Sequence, residues 1–273
     1  MKTLVKSLKE LKGAGRWDID FHLPAEGIKS FPKDMRKRVD HVADVVKDKR
    51  DPGKRPEEVF QYIDIAAVDV VTGTISNPQD LEGSEAPSRA RKVVRAFDIL
   101  VSTCRPTRGA IAVVGSNLHD QIASTAFSII RAHEGVNPYY LQYALRLPST
   151  LEQFRKWSTG SSYPAILDGD VAKTIIPVPE PEVQEEIAAK VMASFRDREK
   201  IIKTANARWA ATLAEITSKL SGQVIEPYNE GVEDHTEVVS LKEIRKRLNE
   251  LPPLTIDSSI GSEAEMDDLL DAL

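Results

Sequence analysis

The sequence predicts an α/β (α+β) domain that hands over to one long, coiled-coil-like helix and ends in an acidic tail. Three observations carry that expectation: short β-type runs bounded by turn residues up to about residue 180, a sustained helical stripe over 181–222, and a change of charge beyond it. At 273 residues the chain can hold one large or two small domains, each with a real core. Its 41% hydrophobic and 29% charged content is that of a water-soluble protein. No apolar run approaches the roughly 20 residues of a membrane span, and "MKTLVKSLKELKGAGRW" lacks the apolar core of a signal peptide. The expectation is a cytoplasmic chain with no membrane partner. Its one cysteine, Cys104, cannot form an internal disulfide and reads as a small buried hydrophobe.

The elements follow in order. Residues 1–29 form a lead-in. Residues 30–180 hold the domain, with strand-length runs "VFQYIDIAAVDV" (59–70), "FDILVS" (97–102), "GAIAVVG" (109–115), "TAFSIIRA" (125–132) and "KTIIPVP" (173–179). Helical pieces "YYLQYALRL" and "TLEQFRKW" lie between the last two, and strands mixed with a few helices define the class. Over 181–222 apolar residues recur in steps of three or four at Ile187, Val191, Phe195, Ile202, Ala205, Trp209, Leu213, Ile216 and Leu220, apart from one seven-residue gap. Glu185 and Glu186 near its start, Lys219 near its end and Gly222 just beyond suit a helix. Such a helix, about 57 Å long, overshoots a small domain and needs a second helix beside it. Residues 223–273 read as a loosely structured acidic tail containing one short helix at 240–250, with "EAEMDDLLDAL" as a further candidate for a small amphipathic helix.

Charge is unevenly spread. The net charge of −5 resolves into +3 over residues 1–180, +1 over 181–224 and −9 over 225–273. The domain is therefore mildly basic, which permits a nucleic-acid face.

Common catalytic signatures are missing: there is no phosphate-cradling Gly-x-x-x-x-Gly-Lys, no Gly-x-Gly-x-x-Gly and no Gly-x-Ser-x-Gly. The histidines, His22, His41, His119, His133 and His235, are scattered without metal-ligand spacing. Asp98, Asp168 and Asp170 could bind magnesium in a nuclease, but isolated carboxylates of this kind usually cap turns. "NPYY" (137–140) is a near miss of the adenine-methyltransferase motif that holds a flipped base. Its simpler reading is a helix start, with Asn137 as cap and Pro138 at the first helical position.

What accumulates instead is chemistry suited to DNA. "APSRARKVVRAFD" (86–98) carries Arg89, Arg91 and Lys92, "STCRPTRGA" (102–110) adds Arg105 and Arg108, and "STGSSYPAI" (158–166) offers Ser161, Ser162 and Tyr163. Arginine forks pair with guanine or phosphate, hydroxyls bond either, and loops enter a major groove.

From about Arg16 to Gly222 the series "RWDIDFHLP", "FQYIDIAAVDVVTGTI", "APSRARKVVRAFDILVSTCRP", "IASTAFSIIRA", "NPYYLQYAL" and "GSSYPAILDGDVAKTIIPVPEPEVQEEIA", followed by a long helix, resembles one half of a type I restriction-modification specificity subunit. The resemblance implies a non-catalytic target recognition domain (30–180) on a spacer helix, and assigns "NPYYLQYAL" to a structural helix. Family members carry two recognition domains, held apart by an antiparallel helical pair, which read the halves of a bipartite DNA site for a DNA adenine methyltransferase (modification) subunit. S-adenosylmethionine is then expected on that partner and no cofactor on this chain. With one domain here, a second copy must come from elsewhere, most simply by homodimerisation through the helix; a restriction or translocase subunit is a further partner of the family. Two rival readings stand beside it: a stand-alone DNA methyltransferase or nuclease, and a non-specific regulatory or decoy partner of methyltransferase subunits.

Overall fold

A computed structural model of the chain describes residues 5–23, 25–160, 162–227 and 240–257. The helices are α1 (Leu8–Ala14), α2 (Ile19–His22), α3 (Pro138–Arg146), α4 (Pro148–Trp157), α5 (Asp168–Lys173), α6 (Pro181–Ser221) and α7 (Leu241–Glu250). The strands are β1 (Arg36–Arg38), β2 (Ala43–Val46), β3 (Val59–Ile63), β4 (Val68–Asp69), β5 (Thr74–Ile75), β6 (Gln79–Glu82), β7 (Ala90–Val94), β8 (Ile99–Ser102), β9 (Ile111–Val113), β10 (Gln121–Ser124), β11 (Phe127–Ala132) and β12 (Ile175–Pro177).

Two four-stranded sheets dominate, ordered β6-β3-β10-β7 and β2-β11-β8-β9. Strand alternation sends one set of side chains between them, and Ile63, Val94, Leu100, Ala112, Ala123, Phe127 and Ile129 fill that space. The outer face of the second sheet is covered by α3, α4 and the start of α6, whose Leu141, Leu145, Phe154 and Ala188 pack on Ile99, Val101, Ile111 and Ile130. A small β4–β5 hairpin is clamped from α3: Gln142 donates to the Gly73 carbonyl at 2.7 Å, and Arg146 donates to the carbonyls of Val70, Val71 and Thr72 at 2.6, 2.8 and 2.9 Å. One buried charge pair ties the sheet together. Arg131 donates two 2.8 Å bonds to Asp98, which is fully buried. Burial opposes the Arg131 charge, but the Asp98 bonds outweigh it and hold the guanidinium above its ordinary value. Burial likewise pushes the Asp98 carboxyl up, against the pull of those same bonds.

The segment "NPYY" is a helix start. The Asn137 side-chain oxygen accepts from the Tyr139 and Tyr140 amides at 2.9 and 3.2 Å, and Pro138 stands in the first turn. Asn137 is buried, and its own amide donates to Gln184 at 3.1 Å, so the cap also fastens α3 to α6. Tyr140 donates to the Pro177 carbonyl at 2.9 Å, and burial pushes its hydroxyl up to about 12.

Helix α6 runs 41 residues and ends at Gly222, whose φ of 70° and N–H bond to the Ser218 carbonyl form the expected C-cap. The residues it buries near the domain are Gln184, Ala188 and Met192, one step round from the expected stripe. Ile187, Val191 and Phe195 are half-buried beside them. Farther out the stripe faces solvent, with Trp209 63% and Leu220 84% exposed. No helix among the described residues is long and apolar enough to cross a membrane.

The tail, read as loosely structured with one short helix at 240–250, carries that helix as α7, and residues 240–257 lie on the domain. On α7, Ile244 packs on Ala96 and Phe97, and beyond the helix Leu254 joins Phe60, Tyr62 and Ile122 on the outer face of the first sheet. His119 bonds the Pro252 carbonyl at 2.8 Å, Asp120 accepts from the Thr255 amide at 2.8 Å and hydroxyl at 2.9 Å, and Asp257 accepts from the Asp51 amide at 3.0 Å and from Arg55 at 3.1 Å. This stretch is also not acidic, since Lys242, Arg245, Lys246 and Arg247 outnumber Glu243, Glu250 and Asp257. Sequence periodicity shows a helix but not what it packs on, which is why the docking went unseen. The candidate helix in "EAEMDDLLDAL" lies outside the described residues. Cys104 is half-buried rather than buried, in a β-bridge to Ala165.

Candidate nucleic-acid interface

One end of the two-sheet domain gathers three loops by backbone bonds. The Thr125 amide donates to the Arg89 carbonyl at 2.9 Å, joining the turn between β10 and β11 to the start of β7. Next to it the Thr103 amide donates to the Ala126 carbonyl at 2.9 Å, bringing in the loop after β8. That loop in turn holds the third: the Ile166 amide donates to the Thr103 carbonyl at 3.0 Å and the Arg105 amide to the Pro164 carbonyl at 2.7 Å. The result is a continuous rim carrying Arg89, Thr125, Arg105, Arg108, Ser162 and Tyr163.

Local chemistry shapes the rim. Pro106 begins a single 3-10 turn ending at Arg108, with Arg105 before it at φ 47° and Gly109 after it at φ 72°. Glycine takes that left-handed conformation without steric cost, whereas arginine adopts it only when its surroundings hold it. The hold comes from Pro164 and from Tyr163, whose ring lies 4.8 Å from the Arg105 guanidinium carbon. Tyr163 is 66% exposed while Arg105 is half-buried, and the guanidinium makes no hydrogen bond among the described residues. Arg89, Arg108 and Ser162 are also exposed; Ser161 lies outside the described residues.

Two expected contacts fall away from this face. Lys92 is a correction: the segment read as a basic loop is strand β7, and alternation turns Lys92 inward, where its ammonium donates to the Phe127 carbonyl at 2.8 Å and pairs with Asp168 at 3.6 Å. Arg91 is half-buried, bonded to the Pro87 and Ala90 carbonyls at 3.3 and 2.9 Å and facing Asp51 at 3.5 Å. Both explain themselves within the fold. Sequence reading also missed Thr125, an exposed hydroxyl on the rim whose place depends on strand pairing.

The groups that favoured an enzyme are spent on structure. Asn137 caps α3, Asp98 pairs with Arg131, Asp168 faces Lys92, and Asp170 accepts from the Leu167 amide at 2.8 Å at the start of α5. They do not converge.

Comparison with known proteins gives the class. No protein-family model matches the chain. It is 31% identical over 116 residues to a Haemophilus influenzae protein described as the type I restriction enzyme HindI specificity subunit, covering 41% of this chain and 24% of that relative. It also resembles the solved HsdS subunit from Thermoanaerobacter tengcongensis, with a TM-score of 0.55 and 35% identity over 68% of this chain and 47% of the other. A chain from a structure concerned with complex assembly and conformational transition of the type I R-M system matches at 0.55 and 36%, with the same coverage. The architecture is thus a mixed α/β domain followed by one long helix, similar to part of an HsdS subunit. More particularly, the chain is HsdS-like, related to type I specificity subunits by both sequence and fold. It spans about half the length of the solved relatives and about a quarter of the curated one.

Proposed function

We propose that this protein is a non-catalytic DNA-recognition subunit of a type I-like restriction-modification complex. It reads one half of a bipartite site on double-stranded DNA for a DNA adenine methyltransferase subunit, which supplies S-adenosylmethionine. The observation that carries this reading is the rim of Arg89, Arg105, Arg108, Thr125, Ser162 and Tyr163 at one end of an HsdS-like domain. Arginine and hydroxyl groups on loops can address base edges and phosphates while the sheets behind them stay rigid.

The second half-site is read by a second copy, paired through the exposed part of α6. Ile202, Trp209, Leu213, Ile216 and Leu220 all remain solvent-facing there, and a contiguous apolar face of this kind marks an interface. Twofold pairing of identical readers gives matching half-sites at a fixed spacing.

The test is transfer of labelled methyl groups from S-adenosylmethionine to genomic DNA by this chain, by its methyltransferase partner, and by the mixture. Activity in the mixture alone is expected; activity of this chain alone would overturn the reading. For the pairing, Trp209→Asp with Leu213→Asp is expected to halve the mass seen on gel filtration, and an unaltered profile would refute it.

A further inference from the structure

We infer that the docked segment 240–257 is exchanged between two copies, each chain laying its own segment on the recognition domain of the other and so clasping the dimer. The inference rests on the dimer reading above. Its physical basis is the distance the chain has to cover.

The described ends of the connection sit at opposite ends of α6. At the far end the Ile225 amide donates to the Ser218 hydroxyl at 2.9 Å, and at the near end the Leu241 amide donates to Glu185 at 3.0 Å. Ser218 and Glu185 are thirty-three residues apart on one helix, about 50 Å at 1.5 Å per residue. From Ile225 to Leu241 is sixteen residue steps, and their greatest possible reach is about 53–58 Å. Docking within one chain therefore demands almost the full reach.

Pairing of two helices changes the distance. The turns of α6 around Gln184, Ala188 and Met192 are covered by their own domain, so the free stripe runs over residues 201–220. A parallel pair would set Lys203 and Arg208 each level with its own copy, like charge against like. The antiparallel sense avoids this and points each helix tip at the other copy's domain. With the free stripes overlapped, Ser218 lies opposite residue 203 of the partner, about 27 Å along the axis from the partner's Glu185. Allowing 8–10 Å between axes, the crossing is about 29 Å, roughly half of that greatest reach.

The dock itself is built for a specific occupant. It combines an apolar seat for Ile244 and Leu254 with directional bonds from His119, Asp120, Asp51 and Arg55. Those contacts are identical whichever copy supplies the segment.

The test uses two full-length copies of different tagged mass, both carrying Cys104→Ser, one with Thr255→Cys and the other with Asp120→Cys. Mixed, refolded together and oxidised, they are expected to give a disulfide-linked species of the summed mass. A single chain carrying both cysteines, mixed with excess unaltered chain, is then expected to form few internal links. Efficient internal linkage in a chain that gel filtration shows to be dimeric overturns the clasp and leaves the dimer standing; a monomeric profile overturns both. Should neither pair of cysteines oxidise, Leu254→Asp decides by sedimentation. A dimer at least tenfold weaker supports the clasp, and an unchanged dissociation constant refutes it.

Discussion

Replacing Arg105 by alanine isolates the proposed reading loop. Alanine rather than glycine is the informative choice, because the φ of 47° would let glycine relax the loop and confound the result. Among the described residues the side chain is held only by Tyr163, 4.8 Å from ring to guanidinium, so folding stability should change by no more than about 1 kcal/mol. If Arg105 forks onto a base, its loss should cost about 1–3 kcal/mol, or roughly 5- to 150-fold in affinity, and relax the sequence preference at one position. If it meets phosphate, affinity should fall evenly across sequences and the salt slope should shrink by about one. Tyr163→Ala removes a stack worth about 0.5–1 kcal/mol at such an exposed site. Where Tyr163 acts by positioning Arg105, the double variant should cost less than the sum of the two by that amount. The assay is a salt-titrated binding measurement on the methyltransferase complex, using DNA that the complex methylates. Both variants binding with wild-type affinity and slope would remove this rim from the interface and defeat the reasoning.

Four further outcomes follow from the same geometry. Lys92→Ala should lower stability in urea while leaving the salt slope of DNA binding unchanged, because its ammonium is engaged with Phe127 and Asp168; a smaller slope would put Lys92 back on the DNA. Asp98→Ala removes both 2.8 Å bonds and leaves the half-buried Arg131 with Asp48 at 3.4 Å, which should cost about 1.5–3 kcal/mol by chemical denaturation, with a cost under 1 kcal/mol contradicting the pair. Asn137→Ala should cost roughly 1–2 kcal/mol through the lost cap, yet spare methyl transfer by the assembled complex; abolished transfer in a folded variant would reopen the catalytic reading. The Asp257 carboxyl is held below the usual carboxylate range, chiefly by the Asp51 amide and then by Arg55. Its contribution to docking is therefore complete above the free-carboxylate value of about 3.9 and fades as pH drops through the lowered folded value. Hydrogen exchange in α7 should rise in that acidic window, and exchange that ignores pH there would deny Asp257 this part.

What was legible in the sequence depended on how local the signal was. The long helix, its Gly222 cap and the Asn137-Pro138 start could all be read because each is set by neighbours along the chain. The strands at Val59–Ile63, Ile99–Ser102 and Phe127–Ala132 announced themselves by apolar β-branched runs. Strand β7 did not, since "ARKVV" puts two cations into an element buried on both sides, and a basic run in isolation resembles a loop. The rim was half legible for the same reason. Its residue types stood out, but the pairing of Thr125 with Arg89 and of Thr103 with Ala126 depends on partners well apart in sequence.

Among the described residues, only three that are not glycine have positive φ: Phe97 at 68°, Arg105 at 47° and Asp120 at 60°. Each costs on the order of 1–2 kcal/mol relative to a relaxed backbone. Two of the three, Phe97 and Asp120, lie beneath segment 240–257, where Ile244 and Thr255 rest on them. A domain with that seat vacant carries the conformational cost without the contacts that offset it. Occupancy of the seat and integrity of the domain are therefore thermodynamically linked, so whatever displaces the segment also loosens the scaffold that presents Arg105.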